Sequence, residues 1–341
     1  MLLNEAKEFL ADFKYKAKDI INSLEGLRDL NVLVIGDTII DQYHYCSSIG
    51  KSPKDNIMVV KYLGEETFAG GVLAAANHIA GFCDNVHLLT CLGKQDTHER
   101  FIRQHLKKNI TPMFFYREDA STPVKRRFVE PSTFKKVFGV SFLGDYPLPR
   151  SITNEIIDYL SIGRYDLILV TDFGHGFISQ DLVDEICSMT PFLAVNTQTN
   201  TDNAGFNLIN KYHNVDYICL DEPETRLACQ DRYGDMEDII KGMSLTLDCD
   251  KIIVTHGQYA TIAFDNKRFY RIPVFSDGIK DTTGAGDAFL AISSLCVARG
   301  LPMDLVGFIG NAVGALKVKI VGNRSSVEPD SLFKFIGELL E

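Results

Sequence analysis

The chain has 341 residues, 45% of them hydrophobic, with 45 acidic against 35 basic side chains and a formal net charge of −10. That is enough apolar material for one large α/β unit or one and a half. The negative balance argues against a broad nucleic-acid or anionic-membrane surface, so an anionic ligand has to be held by a local basic cluster.

The first residues carry Glu5, Lys7, Glu8, Asp12, Lys14, Lys16, Lys18 and Asp19, a pattern expected of neither a signal peptide nor a membrane span. Apolar residues at helical spacing (Leu3, Ala6, Leu10, Phe13, Ala17, Ile20, Ile21, Leu24) predict one helix over 3–27. Residues 1–28 are therefore expected to form a helical extension, packed on the body or connecting to a partner, ahead of a main domain over 29–341. Within that domain, strand-like runs at 32–35, 87–90, 167–171, 192–196, 217–220 and 252–255 alternate with helical patterns. The helices are expected at 72–80, 98–106, 152–160, 182–189, 236–245, 284–299, 302–318 and 330–340. Such alternation predicts an α/β fold, a mostly parallel central sheet with helices on both faces. Two segments, 42–64 and 112–143, instead read as short alternating strands without a helix between them. They are expected to form a small β lid or a dimer contact. The eight cysteines (46, 83, 91, 187, 219, 229, 249 and 296) show no CxxC or metal-ligand spacing, and are expected to be reduced core residues of a cytoplasmic protein.

The chemistry concentrates in Asp281-Thr282-Thr283-Gly284-Ala285-Gly286-Asp287-Ala288-Phe289. A glycine-rich turn that opens a helix aims free backbone N–H groups and the positive helix end at one spot, which suits a phosphate. An acid in that turn repels the anion unless its carboxylate takes a proton from a hydroxyl that attacks phosphorus. The bland alternative is a glycine-rich connection with a capping Asp. A Rossmann fingerprint is excluded because Phe289 stands at its third glycine, and Gly50-Lys51-Ser52 fails as a Walker loop because Tyr45 stands at its first.

Polar and glycine residues recur where strands end, which is where ligands bind in open parallel sheets. These are Gly36-Asp37 with Asp41, Gly70-Gly71 with Asn77, Asp172 to Gly176, Asp221-Glu222-Pro223-Glu224, and His256-Gly257. Together with the 281–287 run, this order resembles the ribokinase (PfkB) family of carbohydrate kinases from Gly36 to about Val327. Within that family, Gly36-Asp37-x3-Asp41-x-Tyr43, Ser52-Pro53, Val59-Val60-Lys61 and Thr122-x2-Lys125-x-Arg127 are similar to the heptose-7-phosphate kinases of ADP-heptose biosynthesis, which phosphorylate O1.

The resemblance implies a ribokinase-like fold and an ATP-dependent sugar or sugar-phosphate kinase. Asp287 would be the base, and the amides of Gly284, Ala285 and Gly286 the anion hole. Asp221 and Glu224 would hold Mg²⁺ through water. Thr255, Gly257 and Asn311 would line the nucleotide site, and Asp37, Asp41, Gly70, Gly71 and Asn77 would grip the sugar. Lys125 and Arg127 would contact a phosphate already on the substrate, unless they are a solvated strand face. As in some relatives, a monovalent cation is implied near Asp281 and Thr283. A homodimer through the lid is expected, and the fusion of heptose kinases to a nucleotidyltransferase makes such an enzyme a candidate partner. Departures from the heptose-kinase pattern are Asp221 for Asn, His175 for Lys, Asn196-Thr197-Gln198 for Asp-Pro-Lys, Lys54-Asp55-Asn56 for Glu-Ala-Pro, and Ala260 for Gly. They leave a rival reading: a kinase fold without catalysis that binds a sugar nucleotide or a partner as a regulator or scaffold.

Overall fold

The computed structural model describes residues 2–340 apart from 190, 258 and 277. The expected N-terminal helix is two helices, α1 (Leu2–Ala11) and α2 (Ala17–Glu25). The break has a packing cause: Phe13 and Tyr15 lie in the non-helical stretch between them, and Phe13 packs tilted against Phe308 with ring centroids 4.3 Å apart. Tyr15 and Lys14 both reach Asp304, and Ile20, Leu24 and Leu27 are buried in the main core.

After these come β1 (Asn31–Gly36), the long hairpin β2 (Thr38–Lys51) and β3 (Met58–Gly71), and α3 (Val72–Ile79). Next are β4 (Asn85–Gln95), α4 (Glu99–His105), β5 (Ile110–Ser121), β6 (Val124–Glu130) and β7 (Lys135–Phe142). The chain then alternates through α5 (Arg150–Ile162), β8 (Leu167–Asp172), α6 (Gln180–Ser188), β9 (Phe192–Thr197), β10 (Tyr217–Asp221), α7 (Glu222–Cys229) and α8 (Met236–Leu247). It closes with β11 (Ile252–His256), β12 (Ala260–Phe264), β13 (Phe269–Pro273), α9 (Ala285–Ala298), α10 (Met303–Lys317) and α11 (Pro329–Leu340).

A nine-stranded sheet in the order β13-β12-β11-β10-β9-β8-β1-β4-β5 forms the body. It is parallel from β11 to β5, and only β12 and β13 run antiparallel. Its strands bury both faces, and the alternation shows it. Val32, Val34, Leu167 and Leu169 join the core beneath α2, α3, α9, α10 and α11, whereas Leu33, Ile35, Ile168 and Val170 join the core beneath α5, α6 and α8. Parallel strands with crossover helices put every loop of interest at one edge, the carboxyl ends of the strands. Among the described residues no helix is long and apolar enough to cross a membrane.

A separate four-stranded sheet, β3-β2-β6-β7, stands apart from the body as a lid. The segment 112–143 thus divides. Its first part is β5, the edge strand of the main sheet, and only β6 and β7 belong to the lid. The alternation that suggested a lid strand there is the half-covered pattern of a sheet edge.

Candidate active site

The site begins at the start of α9. Gly284 is its N-cap at φ +76°, a left-handed conformation that a side chain would strain, and an added Cβ would lie 2.4 Å from Asn323 Oδ1. The amide of Ala285 is already bonded to Thr282 O at 3.2 Å. Those of Gly284 and Gly286 find no acceptor among the described residues, and the space in front of Gly286 is open. Of the three amides assigned to an anion hole, two are thus free for a ligand.

Asp287 follows in the first turn, 7% exposed. Burial pushes its carboxyl up to about 6, against the pull of Lys317 and Lys125, and Gln198 Nε2 donates to Oδ1 at 3.0 Å. A carboxylate that is ionised at neutral pH yet more basic than an exposed one suits a general base.

The lid supplies the facing wall. β2 and β6 pair in parallel with Asp41 opposite Lys125 and Tyr43 opposite Arg127, so these four side chains share one face. Arg127 is ion-paired with Asp41, and Lys125 is only 9% exposed, its Nζ 2.7 Å from Asn200 Oδ1. The basic pair is therefore an inward face and not a solvated one. Gly70 makes room for this arrangement: a Cβ there would sit 2.2 Å from Asp41 Oδ2. Gly71, at φ +59°, caps α3 where a Cβ would meet Asp37 O at 2.5 Å.

Asp281 and Thr283, expected beside a monovalent cation, have their side-chain acceptors taken, and the Thr283 carbonyl with them. Asp281 receives Tyr43 OH (2.7 Å), Gly322 N (2.8 Å) and Thr283 N (3.1 Å), together with Lys136 Nζ from β7 (3.2 Å). These donors, led by Tyr43, overcome its burial and hold its carboxyl down at about 2. Lys136 also donates to Thr283 Oγ1, and Lys317 Nζ donates to Thr283 O at 2.7 Å. The donor set does not fit a further cation without displacing an ammonium group.

Asp221 and Glu224 form a capping box at the start of α7. Asp221 Oδ1 accepts from Glu224 N, Glu224 Oε2 accepts from Asp221 N, and Glu224 Oε1 accepts from Thr199 N. Burial pushes Glu224 up to about 7, and the charges of Asp221 and Asp287 add to the push. Among the described residues no cluster of three or more His, Cys, Asp or Glu forms a metal cage. Two hard carboxylates, each with lone pairs to spare, fit a hydrated Mg²⁺ that arrives with nucleotide phosphates.

The sequence assignments divide accordingly. Asp41, Lys125, Arg127, Gly70, Gly284, Gly286 and Asp287 converge, and Gly257 lies at the end of β11 at φ +51° with open space around it. Thr255, on β11, donates to Leu220 O at 3.4 Å. Three assignments do not join the cluster through their side chains. Asp37 turns its carboxylate onto Phe173 N (2.9 Å) and Phe177 N (3.3 Å), fixing the loop after β8. Asn77 ties its amide to His105 O and Lys107 N behind α4. Asn311 ties its own to Thr261, Ile272 and Pro273, pinning β12 and β13 to α10. Sequence reasoning missed Gln198, Asn200, Lys136, Lys317 and Asn323. Gln198 is visible in the sequence only as a departure from a pattern, and an acceptor-rich acidic loop is the one hint that lysines are needed.

The large parallel sheet with a β lid and a glycine-rich helix start define a ribokinase-like fold. A family model described as pfkB family carbohydrate kinase matches residues 29–330. The chain belongs to that family. The bifunctional protein HldE of Syntrophotalea carbinolica is 25% identical over 325 residues, 92% of this chain and 64% of that protein. The chain thus spans about two thirds of the length of the curated relatives it matches. A ribokinase from Thermotoga maritima superposes with a TM-score of 0.73 at 19% identity, covering 90% of this chain and 99% of that one. Phosphofructokinase-2 from Escherichia coli, in a structure with potassium, gives 0.72 at 13% identity, covering 92% and 100%.

Proposed function

We propose that the chain is an ATP-dependent kinase transferring the γ-phosphoryl group to a hydroxyl of a sugar or sugar phosphate, with O1 of a heptose 7-phosphate the leading acceptor. The observation that carries the reading is Asp287, a buried carboxyl pushed up to about 6, within one turn of the free amides of Gly284 and Gly286 and within reach of the charge of Lys125 on the lid. The sugar oxygen attacks the γ-phosphorus, its proton passes to Asp287, and the bond from phosphorus to the departing ADP oxygen breaks. The two amides meet the charge on the transferring group. Mg²⁺ would screen the nucleotide phosphates, held through water by Asp221 and Glu224.

Lys125 and Arg127 support an acceptor that already carries a phosphate, and the likeness to HldE supports a heptose. Likeness to a bifunctional protein also supports a nucleotidyltransferase as partner. The lid's outer face, with Met58, Tyr62, Phe138, Val140 and Phe142 between 40% and 62% exposed, supports a homodimer through the lid. The cysteines, all unpaired, suit a reducing cytoplasm. A panel of phosphorylated and unphosphorylated hexoses and heptoses, with ATP and Mg²⁺ and ADP as readout, tests the reading.

A second reading, a catalytically idle regulator or scaffold, draws on Gln198 at Asp287 and on the backbone bonds that engage both oxygens of Glu224. It predicts no ADP with any sugar and a thermal shift with a sugar nucleotide.

A further inference from the structure

Lys317 is the largest charged side chain that is wholly buried, at 0% exposure, and it lies in the last turn of α10. An ammonium in such a place is costly unless its charge is balanced and its N–H groups are bonded. Nζ donates at 2.7 Å to Thr283 O and at 2.7 Å to Gly322 O, joining the catalytic loop to the loop after α10. Asp287, Asp281 and Asp41 supply the balancing charge. Lys136 reaches the same catalytic loop from the lid, on Asp281 and Thr283.

The bond to Thr283 O has a chemical consequence. That carbonyl shares a peptide unit with the amide of Gly284, so an ammonium on the oxygen polarises the unit and makes its N–H a stronger donor. Gly284 N is one of the two amides open to a ligand, and its Cα lies close to the ammonium, with a hypothetical Cβ 3.3 Å from Nζ.

We propose that Lys317 is a tethered cation: it occupies the place a monovalent ion would take, positions and polarises the Gly284 amide, and makes phosphoryl transfer independent of K⁺ and Na⁺. The inference rests on the kinase reading. Lys317 is a positioning residue, acting on the phosphoryl group through a peptide unit.

The test compares the parent and Lys317→Met in buffer free of K⁺, Na⁺ and NH₄⁺, then with added KCl or NH₄Cl at ionic strength held by choline chloride. Turnover and melting temperature are both read. Parent turnover and melting should not respond to the added cation. Lys317→Met should lose about tenfold or more in turnover, less than the 10²–10³ of a direct anion-hole donor, and added NH₄⁺ or K⁺ should restore part of both readouts. Three results overturn the proposal: K⁺ activation of the parent, parental turnover in Lys317→Met, or a loss that neither cation relieves. If Lys317→Met does not fold, the parent's cation titration still decides. If no sugar yields ADP, the kinase reading fails by itself, and a parent melting temperature raised by K⁺ but not by choline would overturn the tethered cation separately.

Discussion

As the proposed base, Asp287 would concentrate the chemistry of this chain in one carboxyl, and its burial has consequences that run in two directions. Protonated, it cannot accept the hydroxyl proton, so kcat/KM should fall as pH drops through about 6. Asp287→Asn should cost about 10² to 10⁴ in turnover with ATP affinity nearly unchanged, and turnover near the parent's would remove this residue from the mechanism. Stability should move the other way. The folded carboxyl titrates near 6 and the unfolded one near 3.8, so the native state holds the proton longer. Its contribution is fully present below 3.8 and is lost as pH rises to about 6. Above that, the buried charge costs on the order of 2–3 kcal/mol. Asp287→Asn should therefore melt higher than the parent at about pH 7.5, and the advantage should shrink toward about pH 5. Equal melting differences at both pH values would contradict the burial argument. Glu224→Gln separates two roles of another carboxyl. Glutamine still serves a capping box, so stability should hold, whereas the Mg²⁺ dependence of turnover should shift to higher concentration because a neutral amide is a poor ligand for a hard cation. An unaltered Mg²⁺ titration would leave the capping box as the whole purpose of the pair.

At the scale of elements, lid strands β2 and β6 show how pairing register gathers charged side chains on one face. Asp41, Tyr43, Lys125 and Arg127 come to one face only because the strands run parallel with 41 opposite 125. Neutralising Lys125 and Arg127 together should raise KM for a phosphorylated sugar about ten- to a hundredfold for each charge-assisted bond removed, and spare ATP. An enzyme that prefers unphosphorylated sugars would refute the phosphate-binding reading of this face. The opposite face stacks Phe128 on Phe138 and leaves Phe138, Val140 and Phe142 exposed. Val140→Glu should turn a dimer into monomers in sedimentation velocity; a parent that sediments as a monomer would dismiss the lid as an interface. The strands of the body were legible in the sequence, since fully buried strands are apolar throughout. Patterns misled where edges are half covered. β5 alternated like a lid strand, β12 and β13 went unseen beside β11, and the break between α1 and α2 depends on where Phe13 meets Phe308, which no local pattern records. At the site, glycines and acids were legible because backbone geometry demands them. Asn77 and Asn311 were not, because only the fold reveals which backbone groups claim an amide.

Over the whole molecule, the helices before the family-matched region belong to the same core. Ile20, Leu24 and Leu27 are at most 1% exposed among residues of α3 and α11. Burying each contributes about 1.5–3 kcal/mol, a large part of a marginal total. Removing residues 1–28 should yield an aggregating chain or one that unfolds at much lower denaturant. A truncated protein as stable as the parent would make α1 and α2 mere attachments. Lys136 has a further consequence at this scale. It is a lid residue gripping Asp281 and Thr283, so lid position and the geometry of the glycine-rich loop are not independent variables. Two ligands that favour the same closed arrangement must then help each other, by one factor that is identical in both directions. Sugar should tighten nucleotide binding as much as nucleotide tightens sugar binding, and Lys136→Ala should bring that shared factor toward unity in calorimetric titrations of either ligand.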